Sequence, residues 1–228
     1  MTAALGATTE FVAIPYGPSG VAPSSSVREF ELYFEELEAA GFGDVKRPDL
    51  LVFSSADATV AHQIVAGIGG PERLPFTRED DPRMLRLLDL ALVAIECENS
   101  LWRARMMPAF GQGLRPQKRL GGRLGLAKNA VLPTVIVKDE DLPRLLNWET
   151  AARVPIHIWH SFFDLSFGIS LADVARGISD GDIEPSEQIF QAPNGATSTK
   201  TLFKVRYHRV SARNSGRGTI ASGRQHHG

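Results

Sequence analysis

The sequence predicts an α/β domain with a mixed central β-sheet flanked by helices. Three observations predict it: an acidic amphipathic stretch over residues 27–40, two apolar runs at residues 50–53 and 87–95, and a later succession of apolar run, helical pattern and apolar run across residues 133–163. Apolar recurrence every three to four residues marks a helix, whereas a short continuous apolar run marks a strand buried on both faces, and alternation of the two is the mark of an α/β sheet. With 228 residues, 43% of them apolar, the chain is long enough to bury one sizeable core, and a single compact domain over residues 27–210 is expected.

Residues 1–26 are small and polar, with Pro15, Pro18 and Pro23 and a Ser-rich end, and read as an irregular arm. Beyond Ser26, Phe30, Phe34 and Leu37 recur at helical spacing among Glu29, Glu31, Glu35, Glu36 and Glu38, and Gly41 supplies the stop. Gly41-Phe-Gly-Asp-Val-Lys-Arg-Pro-Asp49 turns the chain into the first strand, at residues 50–53. Residues 54–83 carry one short helix over 59–66 and are otherwise rich in Gly, Pro and charge, so a loop-rich insertion is expected. The run 87–95 reads as a second strand leading straight into Glu96-Cys-Glu-Asn-Ser100, although periodicity alone leaves a helical reading of the same run open. Residues 133–138 are read as the third strand, 141–153 as a helix and 154–163 as the fourth strand. Residues 199–210, with Lys200, Lys204, Arg206 and Arg209, read as a strand or hairpin arm, and the Gly/Ser/Arg/His-rich 211–228 as a flexible basic tail.

Composition excludes several classes of function. A single cysteine, Cys97, leaves no intramolecular disulfide and no cysteine-built zinc site, and agrees with a reducing compartment. No apolar run approaches the roughly 18 residues of a membrane span, and Met1-Thr-Ala-Ala-Leu-Gly lacks the basic start of a secretory signal, so no membrane association and a cytoplasmic location are expected. The formal net charge of −1 hides an asymmetry: residues 1–100 hold 7 Lys/Arg against 16 Asp/Glu, and residues 101–228 hold 18 against 10. An acidic metal-binding centre beside a basic phosphate-binding surface produces this split, and so do two solvated faces of opposite sign.

The segment Ile95-Glu96-Cys97-Glu98 carries the most chemistry. Side chains two apart on a strand share a face, so Glu96 and Glu98 project together while Cys97 enters the core. Paired carboxylates at the end of an apolar strand are costly to desolvate without a cation, and oxygen-only ligands suit Mg²⁺, with Asp49 as the third candidate. The competing reading leaves both glutamates in water, each meeting an arginine such as Arg103 or Arg105. The pair His157 and His160, three apart on a strand, faces opposite sides and reads as core or hydrogen-bonded groups rather than as metal ligands. Among the aromatic residues, Trp148, Trp159, Phe162 and Phe163 read as core, with Trp102 the possible exception beside the acids.

The order Arg47-Pro48-Asp49, apolar strand, then a second apolar strand ending in Glu96-Cys97-Glu98 resembles the active-site hairpin of PD-(D/E)xK nucleases. The wider order of acidic helix, Glu-Cys-Glu-Asn-Ser-Leu-Trp, Thr-Val-Ile-Val-Lys-Asp-Glu-Asp-Leu and Val-Pro-Ile-His-Ile-Trp-His-Ser-Phe-Phe-Asp is similar to that of type II restriction endonucleases, over roughly residues 27–175. The resemblance implies a restriction-endonuclease-like core, with Asp49 as the motif aspartate, Glu96 as the central acid and Glu98 where a lysine usually stands. Lys128 or Lys138 is then the candidate for the missing cation, and Asp89 competes with Asp49 across a gap of 46 residues between Asp49 and Glu96. Pro48 sets a turn before its strand, which favours Asp49.

What the resemblance implies is Mg²⁺-dependent cleavage of double-stranded DNA to a 5′-phosphate and a 3′-hydroxyl, by a homodimer in a host whose cognate DNA methyltransferase protects its own DNA. Residues 101–128 contain seven Lys/Arg and no Asp/Glu, and Arg103, Arg105, Arg115, Lys118, Arg119, Arg123 and Lys128 are the candidate DNA contacts, on a Gly-rich segment able to approach phosphates closely. Two other readings stand beside this one. A structure-specific repair or junction nuclease would share the hairpin, and a DNA-binding protein without catalysis would use the basic segment alone.

Overall fold

The computed structural model describes residues 9–23, 25–43, 45–191, 197–214 and 220–221. It is an α/β fold built on a mixed seven-stranded sheet with a smaller three-stranded sheet beside it. In chain order the elements are β1 (Phe11–Pro15), the single turn α1 (Pro18–Val21), α2 (Val27–Ala39), β2 (Leu50–Ser54), α3 (Ala58–Ile68), α4 (Pro82–Leu90), β3 (Val93–Asn99) and the two-residue strands β4 (Arg115–Pro116) and β5 (Leu124–Gly125). They continue as β6 (Thr134–Lys138), α5 (Leu142–Ala152), β7 (Ile156–Ser161), β8 (Leu165–Ser170), α6 (Leu171–Ser179), β9 (Pro185–Gln191), β10 (Thr197–Arg206), β11 (Ser211–Asn214) and β12 (Ile220–Ala221).

The large sheet runs β1-β2-β3-β7-β8-β11-β12. Only β3 and β7 are parallel, and α5 makes the crossover between them. One face packs Leu51, Phe53, Ala94, Ile156, Ile158 and Phe167 into the main core beneath α3, α4 and α5. The opposite face holds a small cluster of Leu50, Val52 and Ile95, flanked by half-buried Cys97 and Trp159. Gly168 makes room for that indole, since a Cβ there would lie 2.5 Å from Trp159 Cε2.

Local chemistry sets the helix ends. Ser26 Oγ accepts from Glu29 N at 3.1 Å and opens α2. Asp81 Oδ1 accepts from Arg83 N at 2.8 Å, with Pro82 in the first turn, and opens α4. Gly69, at φ 114, closes α3 in the left-handed conformation that a helix stop requires.

Several expectations are corrected. The arm expected to be irregular contains β1, paired antiparallel with β2 from Phe11↔Ser54 to Pro15↔Leu50, and it buries Ile14 and Tyr16. Five residues of which only Ile14 is fully buried give too short a signal among the prolines. Residues 87–90 belong to α4 rather than to a strand: Met84, Leu87 and Leu88 lie at helical spacing on its buried face, and β3 starts only at Val93. The excursion between β2 and β3 is therefore mostly helical, with a 3-10 segment at Pro71–Phe76. The strand β6 does not join the central sheet but pairs with β10, which pairs with β9. Within the expected tail, β11 pairs with β8, so 211–214 extend the large sheet; residues 215–219 and 222–228 lie outside the described residues. No described helix is long and apolar enough to cross a membrane.

Candidate active site

The β2–β3 ladder sets Leu50 opposite Ile95 and Leu51 opposite Ala94. One step further along that register brings Asp49 across from Glu96. The Asp49 carboxylate is held there by its own neighbour strand: Oδ2 accepts from Cys97 N at 2.7 Å. Its carbonyl accepts from Tyr16 N at 2.8 Å and Gly17 N at 3.3 Å, so β1 clamps the entry to β2. Asp49 and Glu96 are both buried, at 9% and 6% exposure.

Arg47 explains why this turn is rigid. Its guanidinium is 3% exposed, bonds Glu79 Oε1 at 2.5 Å, and donates to the carbonyls of Leu74 and Pro75 at 2.8 and 2.9 Å and of Thr77 at 2.7 Å. The same plane lies against the Tyr16 and Phe42 rings. A buried arginine with its donors satisfied thus ties the 71–77 segment to the Arg-Pro-Asp turn.

Glu98 shares the Glu96 face, as strand periodicity predicts. Around the acids stand two lysines and a fourth carboxylate. Lys46 Nζ is 2.5 Å from Glu96 Oε1 and 3.9 Å from Asp141 Oδ2. Lys138 Nζ is 3.9 Å from Glu98 Oε1 and 3.8 Å from Asp141 Oδ2. The turn after β6, in which Asp141 N donates to Lys138 O at 3.1 Å, sets Asp141 at the head of α5 with its side chain making no cap bond.

The electrostatics follow from burial and crowding. Burial, then the Asp49 charge, push the Glu96 carboxyl up to about 7 against the opposing pull of Lys46. Burial likewise raises Asp49 against the Cys97 N–H and Lys46, and raises Glu98 against Lys138. For Lys46, burial alone would lower the pKa, but the Glu96 charge and hydrogen bond, with Asp141 and Asp49, carry it above the ordinary value. Glu96 Oε2 is buried without a hydrogen-bond partner.

No family model, no curated protein and no solved structure matches the chain. What the site can do therefore rests on its own geometry.

The structure brings together Asp49, Glu96, Glu98 and Lys138. Asp89 is exposed on α4, and Lys128 pairs with none of these acids. Sequence reasoning missed Lys46 and Asp141, although both lie in quoted motifs, Lys-Arg-Pro-Asp and Lys-Asp-Glu-Asp; nothing in their spacing says that they meet. Among the described residues no group of three or more His, Cys, Asp or Glu is placed to hold a metal ion as the side chains stand; Lys46 bonds Glu96 Oε1 and the Cys97 amide bonds Asp49 Oδ2. The donor chemistry nonetheless fits a hard cation. Four carboxylates face two ammonium groups, all the donors are oxygen, and Glu96 Oε2 lacks a partner.

His157 and His160 occupy opposite faces of β7. Burial drops His160 to about 4, its ring stacks on Phe162 at 4.9 Å, and its Nδ1 has no partner. Trp148 is core, whereas Trp102 and Phe163 are exposed, joined by a 3.1 Å bond from Phe163 N to Trp102 O.

The basic segment is more packed than its composition suggests. Ala109, Leu126 and Leu132 form a small cluster, and Asp164 accepts from Ala104 N at 2.6 Å and Arg105 N at 3.1 Å. Arg103, Arg105, Arg115, Lys118 and Lys128 are exposed. Arg119 pairs with Glu184 at 3.2 Å and Arg123 with Asp182 at 3.2 Å, so these two hold the segment to the body.

Proposed function

We propose that the protein is a Mg²⁺-dependent endonuclease of the PD-(D/E)xK superfamily, acting on double-stranded DNA as a type II restriction enzyme. The observation that carries this reading is the position of Asp49, just before β2 and bonded to the Cys97 amide of the antiparallel neighbour β3, beside Glu96, with Glu98 on the same face and a buried, unpartnered oxygen on Glu96. The parallel strand β7, reached through α5, supports the same core.

Asp49 and Glu96, with Glu98, would hold the Mg²⁺, whose bound form neutralises phosphate charge and lowers the pKa of a coordinated water. Asp49 is oriented for this by the Cys97 amide. Glu98 stands where a lysine is usual, and a carboxylate there can take a proton from the attacking water but cannot stabilise the charge that develops on phosphorus. That second task falls to an ammonium group, and Lys138, beside Glu98, is oriented for it by Asp141. Lys46, in contact with Glu96, opposes the rise that burial and Asp49 impose on its carboxyl. The exposed Arg103, Arg105, Arg115, Lys118 and Lys128 contact the DNA backbone, and cleavage of both strands follows from a homodimer whose two-fold matches a palindrome. A host methyltransferase would protect the genome without touching this chain.

The test is incubation of wild type and Glu96→Ala with several plasmids, with Mg²⁺ or with a chelator, followed by sequencing of the ends. Discrete Mg²⁺-dependent fragments from wild type alone, with a common sequence and 5′-phosphate ends, are expected. Cutting confined to branched DNA would move the assignment to a junction nuclease. DNA binding with no cutting of any substrate would overturn the enzyme in favour of a binding protein, a reading that the lysine-paired acids favour.

A further inference from the structure

A second cluster of charge lies away from the acids, on the outer face of the small sheet. The β6–β10 ladder pairs Lys138 with Leu202, Ile136 with Lys204 and Thr134 with Arg206. Side chains directly opposite or two apart share a face, so Lys138, Lys204 and Arg206 project from one side of the sheet, while Val135, Val137 and Val205 enter the core from the other. Residues 114–132 fold over that outer face and enclose a pocket of about 270 Å³. Leu114, Leu120, Leu124 and Leu132 make one part of its wall.

The polar wall is unbalanced. It carries Arg119, Lys128, Lys204, Arg206 and Arg209 against Asp182 and Glu184. Both acids are already engaged, Asp182 with Arg209 at 2.7 Å and with Arg123 at 3.2 Å, Glu184 with Arg119 at 3.2 Å. Among the described residues no carboxylate pairs with Lys128, Lys204 or Arg206. The Arg206 guanidinium has its space reserved: a Cβ on Gly125 would stand 3.2 Å from its Nη1. Burial, then the neighbouring Arg119 charge, pull the Arg206 pKa down, a crowding that a bound anion relieves.

We infer that this pocket is a phosphate-binding site, with Lys128, Lys204 and Arg206 as its seat and the leucine wall facing the attached nucleoside, and that the strand engaging the acidic centre runs into it. This second clause rests on the nuclease reading. The four residue steps of β6 from Lys138 to Thr134 span about 13 Å, and a B-form strand carries one phosphate per roughly 3.4 Å of axis. The pocket therefore receives a phosphate of that strand a few nucleotides from the bond at the acidic centre.

The experiment compares wild type with Lys204→Gln/Arg206→Gln and with Lys128→Gln, an exposed change that keeps the fold if the double variant does not. Binding of a labelled DNA duplex is followed by fluorescence anisotropy over a salt series, with a chelator present so that nothing is cut. Thermal unfolding is recorded separately with inorganic phosphate and with deoxyadenosine monophosphate. The double variant is expected to bind more weakly, with a slope of log affinity against log salt reduced by about two, and Lys128→Gln by about one. Wild-type affinity and slope in both variants would overturn the proposal. Stabilisation of wild type alone by the free mononucleotide, with unchanged DNA binding, would overturn the shared strand and leave a free-nucleotide site. A protein that cuts no DNA yet binds it through the pocket loses the nuclease reading and the shared-strand clause with it, and keeps the phosphate site.

Discussion

At the residue scale, Arg47 shows how a charge can be structural beside a site made of charges. Replacement by alanine leaves the carbonyls of Leu74, Pro75 and Thr77 and the Glu79 carboxylate without their shared donor. Arg47→Ala is expected to destabilise by about 3–5 kcal/mol in denaturant unfolding. A loss under about 1 kcal/mol would mean that water replaces the guanidinium. His160 is the opposite case, a buried group kept neutral. Its folded pKa, about 4, lies below the ordinary imidazole value of 6.5, so its contribution to stability is present above pH 6.5 and is lost as pH falls toward 4. Thermal unfolding across that window should show the decline in wild type and a shallower one in His160→Leu, which also removes the unpartnered Nδ1. Equal slopes in the two proteins would place the acid sensitivity elsewhere.

At the element scale, α4 separates the two aspartates that the sequence left in competition. Asp89 is exposed on the helix, so Asp89→Ala is expected to change stability by no more than about 0.5 kcal/mol and to leave plasmid cutting intact. Asp49→Ala is expected to abolish cutting. Leu87, fully buried on the inner face of the same helix, should cost about 2–5 kcal/mol as Leu87→Ala. A strand over residues 87–90 would have placed Leu87 and Asp89 on one face, and the two substitutions would then be comparably severe. The misreading has a physical origin: nine apolar-rich residues straddle a helix end and a strand start, with no glycine or proline at the junction of α4 and β3.

At the scale of the whole molecule, β1 is the element whose contribution is hardest to see from its composition. It edges the large sheet, clamps the Asp49 carbonyl and buries Ile14 and Tyr16. Deleting residues 1–17 is expected to cost at least about 3 kcal/mol from those two side chains, and to weaken any activity further by loosening the Asp49 turn. Unchanged unfolding after the deletion would restore the reading of an accessory arm. The charge asymmetry of the chain also acquires a location. The acidic half supplies Asp49, Glu96 and Glu98, and the basic half supplies Lys138 and the cations on the outer face of the small sheet.

By itself the sequence determined what depends on near neighbours. Ser26 with its helix α2, the strand β2 behind Arg-Pro-Asp, the helix α5, and the shared face of Glu96 and Glu98 all follow from caps and periodicities within a few residues. Only the tertiary structure decided what depends on partners remote in sequence. Lys46 meets Glu96 across 50 positions, Asp141 completes the ring of charge from the head of α5, β6 pairs with β10 rather than with the central sheet, and five residues among prolines become its edge. Strand partners and buried ion pairs are chosen by competition among the surfaces of the collapsed chain, and no local pattern records the outcome.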